Sequence, residues 1–300
     1  GKSALWYLAA NPEGLLISDA DLRGKITEDG LNALIAEGVH QGKSVLLLLA
    51  SRPEGLQLLT SDAELRGKIT EDGLNALIAE GPFKGYSALW FLSGSPEGRQ
   101  LLIEDAGLRG KITAEGLNFI VAEGEKKGIS VLLMLVGSPE GQQLLIGNAG
   151  LRGKISSEAL NAVVAAGEYK GASALLLLVG SNEGQQLLID HEDLRAKIMA
   201  KGLNTVIAEG EDKGKSALWF LAANEIGIQL LEEDKVLNDK ISLSGLVSMF
   251  LHTNNQGAVK QYSVLAHILE DSGKHDIVFG NRRLMTEISQ FVTSHLTTFA

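Results

Sequence analysis

The chain repeats itself, and the period limits what it can fold into. Glycines open successive segments at Gly1, Gly42, Gly85, Gly128, Gly171 and Gly214, in steps of 41 and then 43 residues. Self-similarity in this range marks a stacked array, in which each unit covers only its neighbours and the apolar core is continuous along the stack. The expected organisation is one array over residues 1–300, with repeats at 1–41, 42–84, 85–127, 128–170, 171–213 and 214–260. A divergent capping repeat is expected at 261–300, ending in an amphipathic helix that aligns Leu284, Ile288, Val292 and His295. The pattern is already running at Gly1 with no polar opening element, so a longer natural chain is expected.

Residues 85–127 show the grammar of one unit. Ser87 can cap a short helix over 88–93, with Leu89 and Leu92 three apart on its core face. Five of its six residues are apolar or aromatic, so it should be the most buried helix. Ser95-Pro96-Glu97 then supplies an N-cap, a first-turn proline and an acidic residue at the positive end of a second helix. That helix should bend around residues 105–107, with Leu108 and Ile112 continuing the apolar stripe. Thr113 caps a third helix, with Leu117, Ile120 and Val121 on its core face and Gly124 ending it in the left-handed conformation. Gly116 and Gly202 lie inside third helices, where close approach of a neighbouring unit is the expected reason for them. No stretch alternates like a strand, so the chain reads as all-α, with three helices per unit favoured over two longer ones.

Composition narrows the chemistry. With 45% apolar and 21% charged residues the chain fits a folded soluble protein, and no apolar run is long enough for a membrane span. Cysteine is absent, which removes disulfides, thiol nucleophiles and sulfur-ligated zinc. A formal charge of −10 opposes a polyphosphate partner. Gly-Lys-Ser at 1–3, 42–44 and 214–216 suggests a phosphate-binding loop, but Gly38 and Gly210 stand four rather than five positions ahead and no strand leads in. The six histidines, His40, His191, His252, His267, His275 and His295, make no metal-ligand spacing. Glu97, Glu140 and Glu183 recur at one repeat position, as helix-start electrostatics requires. No cofactor and no small-molecule substrate are expected.

Three ladders are candidates for recognition. Arg23, Arg66, Arg109, Arg152 and Arg195, with Lys25, Lys68, Lys111, Lys154 and Lys197, either line an acidic ligand or each pair with a neighbouring unit's Glu or cap helix carbonyls; their strict repetition favours the second. Opposite the core leucines of the first helix, two positions vary: Trp6-Tyr7, Leu47-Leu48, Trp90-Phe91, Leu133-Met134, Leu176-Leu177 and Trp219-Phe220. The aromatic residues Trp6, Tyr7, Trp90, Phe91, Trp219 and Phe220, with Tyr86 at the unit's opening, are candidate anchors for a partner or packing between units. Asn32, Asn75, Asn118, Asn161 and Asn204 could grip an extended peptide backbone through both amide groups, or cap between units.

Ser-Ala-Leu-Trp-Phe-Leu at 87–92, followed by Ser95-Pro96-Glu97 and the Asp105-Ala106-Gly107 turn, resembles the passage from the third helix of an armadillo repeat into the next repeat. The resemblance, to armadillo or HEAT-type proteins, implies a right-handed α-solenoid of about seven three-helix repeats that binds a protein or peptide along an extended face, without enzymatic activity. Ser93-Gly94 and Ala222-Ala223 stand where armadillo units carry a polar pair. The near-identical tandem units also resemble repeat-bearing effectors that bacteria deliver into host cells, which implies that setting in place of a cytoplasmic one. Two alternatives are a regulatory arm of a longer enzyme and a nucleic-acid reader. The latter rests on a likeness to TAL-type repeats, which also open Thr-x-Glu before an apolar helix.

Overall fold

A computed structural model describes residues 3–10, 19–38, 40–81, 83–165, 167, 169–210, 212–242, 245–246 and 286. The expected capping repeat at 261–300 and the apolar stretch 247–251 lie outside them. All regular structure among the described residues is helical, apart from one isolated bridge between Ile120 and Ser130. No helix among them is long and apolar enough to cross a membrane.

The repeat grammar is realised at its caps. Ser87 Oγ accepts the Trp90 amide and opens the helix Ala88–Gly94; Ser95 Oγ accepts the Gly98 amide and opens Pro96–Glu104. Asp105 then ends that helix and caps the next, Ala106–Gly110, through the Leu108 amide. The expected bend is therefore a full break. Thr113 caps Ala114–Asn118 through the Gly116 amide. The units at 42–84, 85–127, 128–170 and 171–213 thus hold four short helices rather than three, the first of them at Val45–Ala50, Pro53–Ser61, Ala63–Gly67 and Glu71–Asn75.

The last helix is shorter than its apolar spacing suggests. It stops at Asn118, and Phe119 turns out of it at φ −58 and ψ 127. The β-branched pair Ile120-Val121 continues in extended form, Ile120 only half-buried, and Val121 pairs back: its N–H donates to Ile129 O at 3.0 Å and its carbonyl accepts the Gly128 amide at 2.7 Å. Gly124 is left-handed as expected (φ +82), but it sits in this hairpin-like link and not at a helix end. Gly128, at φ +89, closes the link, and the opening glycines Gly42, Gly85, Gly171 and Gly214 share its left-handed conformation.

The chain divides into two compact units, Gly1–Ala159 with Val164–Tyr169, and Leu160–Val163 with Lys170–Ala300. Within the first, Ala4–Ala10, Val45–Ala50, Ala88–Gly94 and Val131–Val136 pack each on the next, as do Pro53–Ser61, Pro96–Glu104 and Pro139–Ile146. Within the second, Ala174–Val179 packs on Ala217–Leu221 and Asn182–Asp190 on Glu225–Glu233. Leu46, Leu89, Leu132, Leu175 and Leu218 are fully buried at one repeat position, and all six residues of Val45–Ala50 are buried.

The asparagine ladder is the joint between repeats. Asn75 Nδ2 donates to Glu71 O of its own helix and to Lys111 O of the next repeat, both at 2.7 Å, while its Oδ1 accepts the Thr113 amide at 3.1 Å. Asn32 holds Lys68 and Thr70 in this way, Asn118 holds Lys154 and Ser156, Asn161 holds Lys197 and Met199, and Asn204 holds Lys240 and Ser242. The expected close approach at Gly116 is present: a Cβ there would lie 2.2 Å from Asn75 Oδ1, and one at Gly202 would lie 2.0 Å from Asn161 Oδ1. Asn75→Ala leaves the Thr113 amide and the Lys111 carbonyl unpaired in a half-buried joint. It should lower unfolding free energy by about 2 kcal/mol or more, read by chemical denaturation, whereas a change within a few tenths would show that the joint carries no load.

Candidate partner-binding groove

A groove of about 1350 Å³ crosses three consecutive repeats of the first unit. The turns Ala50 to Pro53, Ser95 to Glu97 and Gly137 to Ser138 line it, each the tight passage from a first helix into a second. These passages are tight because the second helix begins against the backbone of the first: a Cβ at Gly98 would lie 2.2 Å from Leu92 O, and at Gly141 2.1 Å from Leu135 O. Gln57, Thr60, Gln100 and Glu104 on the second helices line the groove with polar side chains, and Trp90, Phe91, Ile129, Leu133 and Met134 give it an apolar side.

Trp90 and Phe91, both half-buried, belong to a four-ring cluster. The Trp90 ring stacks on Tyr86 at 4.0 Å and 13°, and Phe91 meets Tyr86 edge-on at 5.7 Å. Phe83 completes the cluster 5.7 Å from Tyr86, with Lys43 Nζ 4.8 Å above its ring. Tyr86 itself is buried against Leu47, Ile78 and Val121, so it forms the floor on which Trp90 stands. Burial pushes its phenol above the ordinary tyrosine value, and the nearby Glu125 carboxylate adds to the shift. The Trp90 indole N–H is buried with no acceptor, so the ring is held by its faces.

The groove's guanidinium groups are already engaged. Arg99 Nε lies 3.3 Å from Glu140 and donates from its Nη1 to Ser93 O at 3.1 Å; Arg52 Nη1 donates to Ala10 O at 2.5 Å. Glu104 accepts from Gln100 at 2.7 Å, while Glu97 stands exposed at its helix start.

The other sequence candidates are not brought to this groove. Trp6 is buried beside His40, ring centroids 4.7 Å apart, and Tyr7 next to it is 59% exposed. Trp219 and Phe220, in the second unit, are half-buried with centroids 5.0 Å apart, and Lys215 Nζ sits 4.4 Å above the indole. The asparagines 32, 75, 118, 161 and 204 do grip extended backbone, but the backbone is that of the following repeat of the same chain. Phe83, Met134 and Arg99 were not singled out from sequence. The signal for Arg99 was present in the variation Leu56, Arg99, Gln142, Gln185, Ile228 at one second-helix position. Among the described residues no three His, Asp or Glu side chains are grouped as a metal site would require.

The cation ladders hold repeats together. Arg23 Nε reaches Asp62 of the next repeat at 3.0 Å, Arg66 reaches Asp105 at 2.8 Å and Arg195 reaches Asp234 at 2.7 Å. Arg66 Nη1 also donates to Leu59 O and Thr60 O, closing the second helix of its own repeat. Lys111 Nζ donates back to Ile69 O and Lys154 Nζ to Ile112 O. Each aspartate therefore serves its own helix start and the preceding arginine at once. The ladder has a gap where the sequence changes: Asn148 keeps the cap on Leu151, but the buried Arg109 Nε has no partner. No protein-family profile, curated protein or solved structure matches the chain.

Two predictions follow from the ladder's charge. The Leu65 amide, with Arg23, holds the Asp62 carboxyl below its ordinary range; at Asp105 burial pushes upward but is outweighed by the Leu108 amide and Arg66. Lowered folded-state values stabilise the chain above the unfolded carboxylate pKa of about 3.9, and that contribution is lost as pH falls through the folded values. Paired Asp62→Asn and Asp105→Asn substitutions keep cap oxygens, so the variant should melt lower at pH 7 and lose less between about pH 5 and pH 3; parallel slopes would refute the linkage. Conversely, Asn148→Asp supplies Arg109 with its missing carboxylate and should stabilise by up to about 1 kcal/mol in thermal unfolding, more at low salt.

Proposed function

We propose that the chain is a non-enzymatic α-solenoid of about seven repeats that binds a partner protein or peptide along an extended face, with the groove of the first unit as its recognition surface. The observation that carries this reading is a coincidence of position. The first-helix residues that differ between repeats, Trp90-Phe91 and Leu133-Met134, line one groove, while the repeated asparagines and the arginines Arg23, Arg66 and Arg195 are spent on neighbouring repeats. Large, half-exposed aromatic side chains over a packed floor are what interface anchors require, and Gln57, Thr60 and Gln100 lining the same groove offer donors and acceptors to an extended peptide. The chain's negative charge supports a protein partner over a nucleic acid. The four-helix unit with its hairpin-like link departs from the three-helix armadillo plan, so the likeness to that family extends to the principle of stacking. A cytoplasmic setting, or delivery into a host cell, belongs to this proposal.

The test compares proteins retained from a lysate by the wild-type chain and by Trp90→Ala, Phe91→Ala and Met134→Glu variants. A specific retained protein should be weakened about ten-fold or more by each, with far-UV circular dichroism unchanged, while Trp219→Ala, outside the groove, leaves it bound. Retention unaffected by all three groove variants would remove the groove from the binding surface.

A further inference from the structure

Charge is unevenly engaged along the groove. Its cations are occupied: Arg52 donates to the Ala9 and Ala10 carbonyls, Arg99 is held by Glu140 and the Ser93 carbonyl, and the half-buried Lys126 is not free either. Two of its carboxylates have no cation. That of Glu97 takes no partner among the described residues, and that of Glu104 accepts only the neutral Gln100 amide; both residues are exposed. Glu97, Gln100 and Glu104 stand at i, i+3 and i+7 of the helix Pro96–Glu104. They therefore form one stripe, with the two carboxylates about 10 Å apart along the axis.

The helix has a use for one of these charges. Glu97 lies at its start, where free amides favour a carboxylate. Glu104 is its last residue, where backbone carbonyls disfavour one, and Arg109, which closes the Leu102 and Ile103 carbonyls, makes no ion pair with it. The flanking repeats carry no charge at this position, with Ser61 and Gly147. The groove thus receives a negative charge at a place where the fold does not call for one. In the same groove Trp90, Phe91 and Met134 supply large apolar surface, and the thioether adapts to side chains of differing shape. A ligand that matches both parts carries a cation near an apolar side chain. An acidic segment or a polyphosphate would meet free carboxylates with the lining's cations already occupied, and the chain's formal charge of −10 adds to the repulsion.

We propose that the groove takes an extended basic segment of a partner protein, with an apolar side chain against Trp90, Phe91 and Met134, a lysine or arginine at Glu104, and Glu97 as a second anionic contact on the stripe. The proposal rests on the groove being the recognition surface and adds the chemistry of its ligand.

The experiment selects from a displayed library of random peptides with three chains: the wild type, Trp90→Ala, and a charge-reversed double variant, Glu97→Lys with Glu104→Lys. Circular dichroism checks the fold of each. Wild type should enrich peptides with lysine or arginine near an aromatic or long aliphatic residue, and Trp90→Ala should not retain them. The reversed chain should enrich aspartate and glutamate in place of the cations. For the best wild-type peptide, read by fluorescence anisotropy, the isosteric Glu104→Gln should weaken binding by about five-fold at low salt and by less at about 0.15 M. If the reversed chain does not fold, Glu104→Gln alone decides, and an unchanged affinity overturns the proposal. Peptides retained through Trp90 with no cationic excess, or with an acidic one, overturn the basic ligand and leave the groove as a recognition surface. Retention indifferent to Trp90, or no peptide selected at all, overturns both. Self-association of the wild type that Trp90→Ala abolishes also overturns the proposal, because a second copy would then fill the groove.

Discussion

One side-chain amide, at the end of the last short helix in each of the first five repeats, sets the spacing on which the described structure depends. Its nitrogen donates both to the carbonyl four residues back and to a carbonyl of the next repeat, and its oxygen accepts an amide two residues further on. Asparagine is the residue that can do this: aspartate lacks the donor, and glutamine would place the amide one methylene farther out. By bonding back to its own helix the side chain marks that helix's end. By bonding forward it fixes the register of the next repeat to within a hydrogen bond, and apolar packing alone would tolerate a less exact spacing.

This joint explains features that look unrelated in the sequence. A glycine recurs inside a helix, where it is intrinsically unfavourable, because the asparagine of the preceding repeat occupies the space of its Cβ. Ala159 stands at that position opposite Asn118, which still makes both of its forward hydrogen bonds, so a methyl group can be accommodated by a small shift. The arginine ladder strengthens the same junction at a second point by sharing one aspartate between a helix cap and an ion pair. Sharing has a consequence for substitution: Asn148 satisfies the cap and abandons the ion pair, so the two functions of the position are separable.

Local signals were the legible ones. Caps at Ser87, Ser95 and Thr113 were readable because capping involves residues three apart, and the leucine stripes were readable because burial in a repeat follows helical spacing. The end of the last helix was not readable from its own residues. Leu117, Ile120 and Val121 have the spacing of a helix face, yet Asn118 stops the helix because it is needed by a repeat that begins ten residues later. The same limit applied to the asparagines. Their chemistry announced a grip on extended backbone, but nothing in the sequence says that the backbone is the chain's own. At the groove, attention to aromatic residues found Trp90 and Phe91 and passed over Phe83, Met134 and Arg99, whose exposure depends on how three repeats are juxtaposed.

The division between repeated and variable residues has a physical origin in these contacts. A residue that bonds forward and is bonded from behind changes at a cost, since its partner recurs in the neighbouring copy and a mismatch leaves a buried polar group unpaired, as Asn148 leaves the Arg109 Nε. Trp90 and Phe91 pack instead on Tyr86 of their own repeat. Exchanging them alters the lining of the groove while leaving Asn75, Arg66 and Gly116 in their joints. A recognition surface on a chain of this kind is therefore expected where the repeat is least faithful, and the groove that crosses Trp90 and Met134 is such a place.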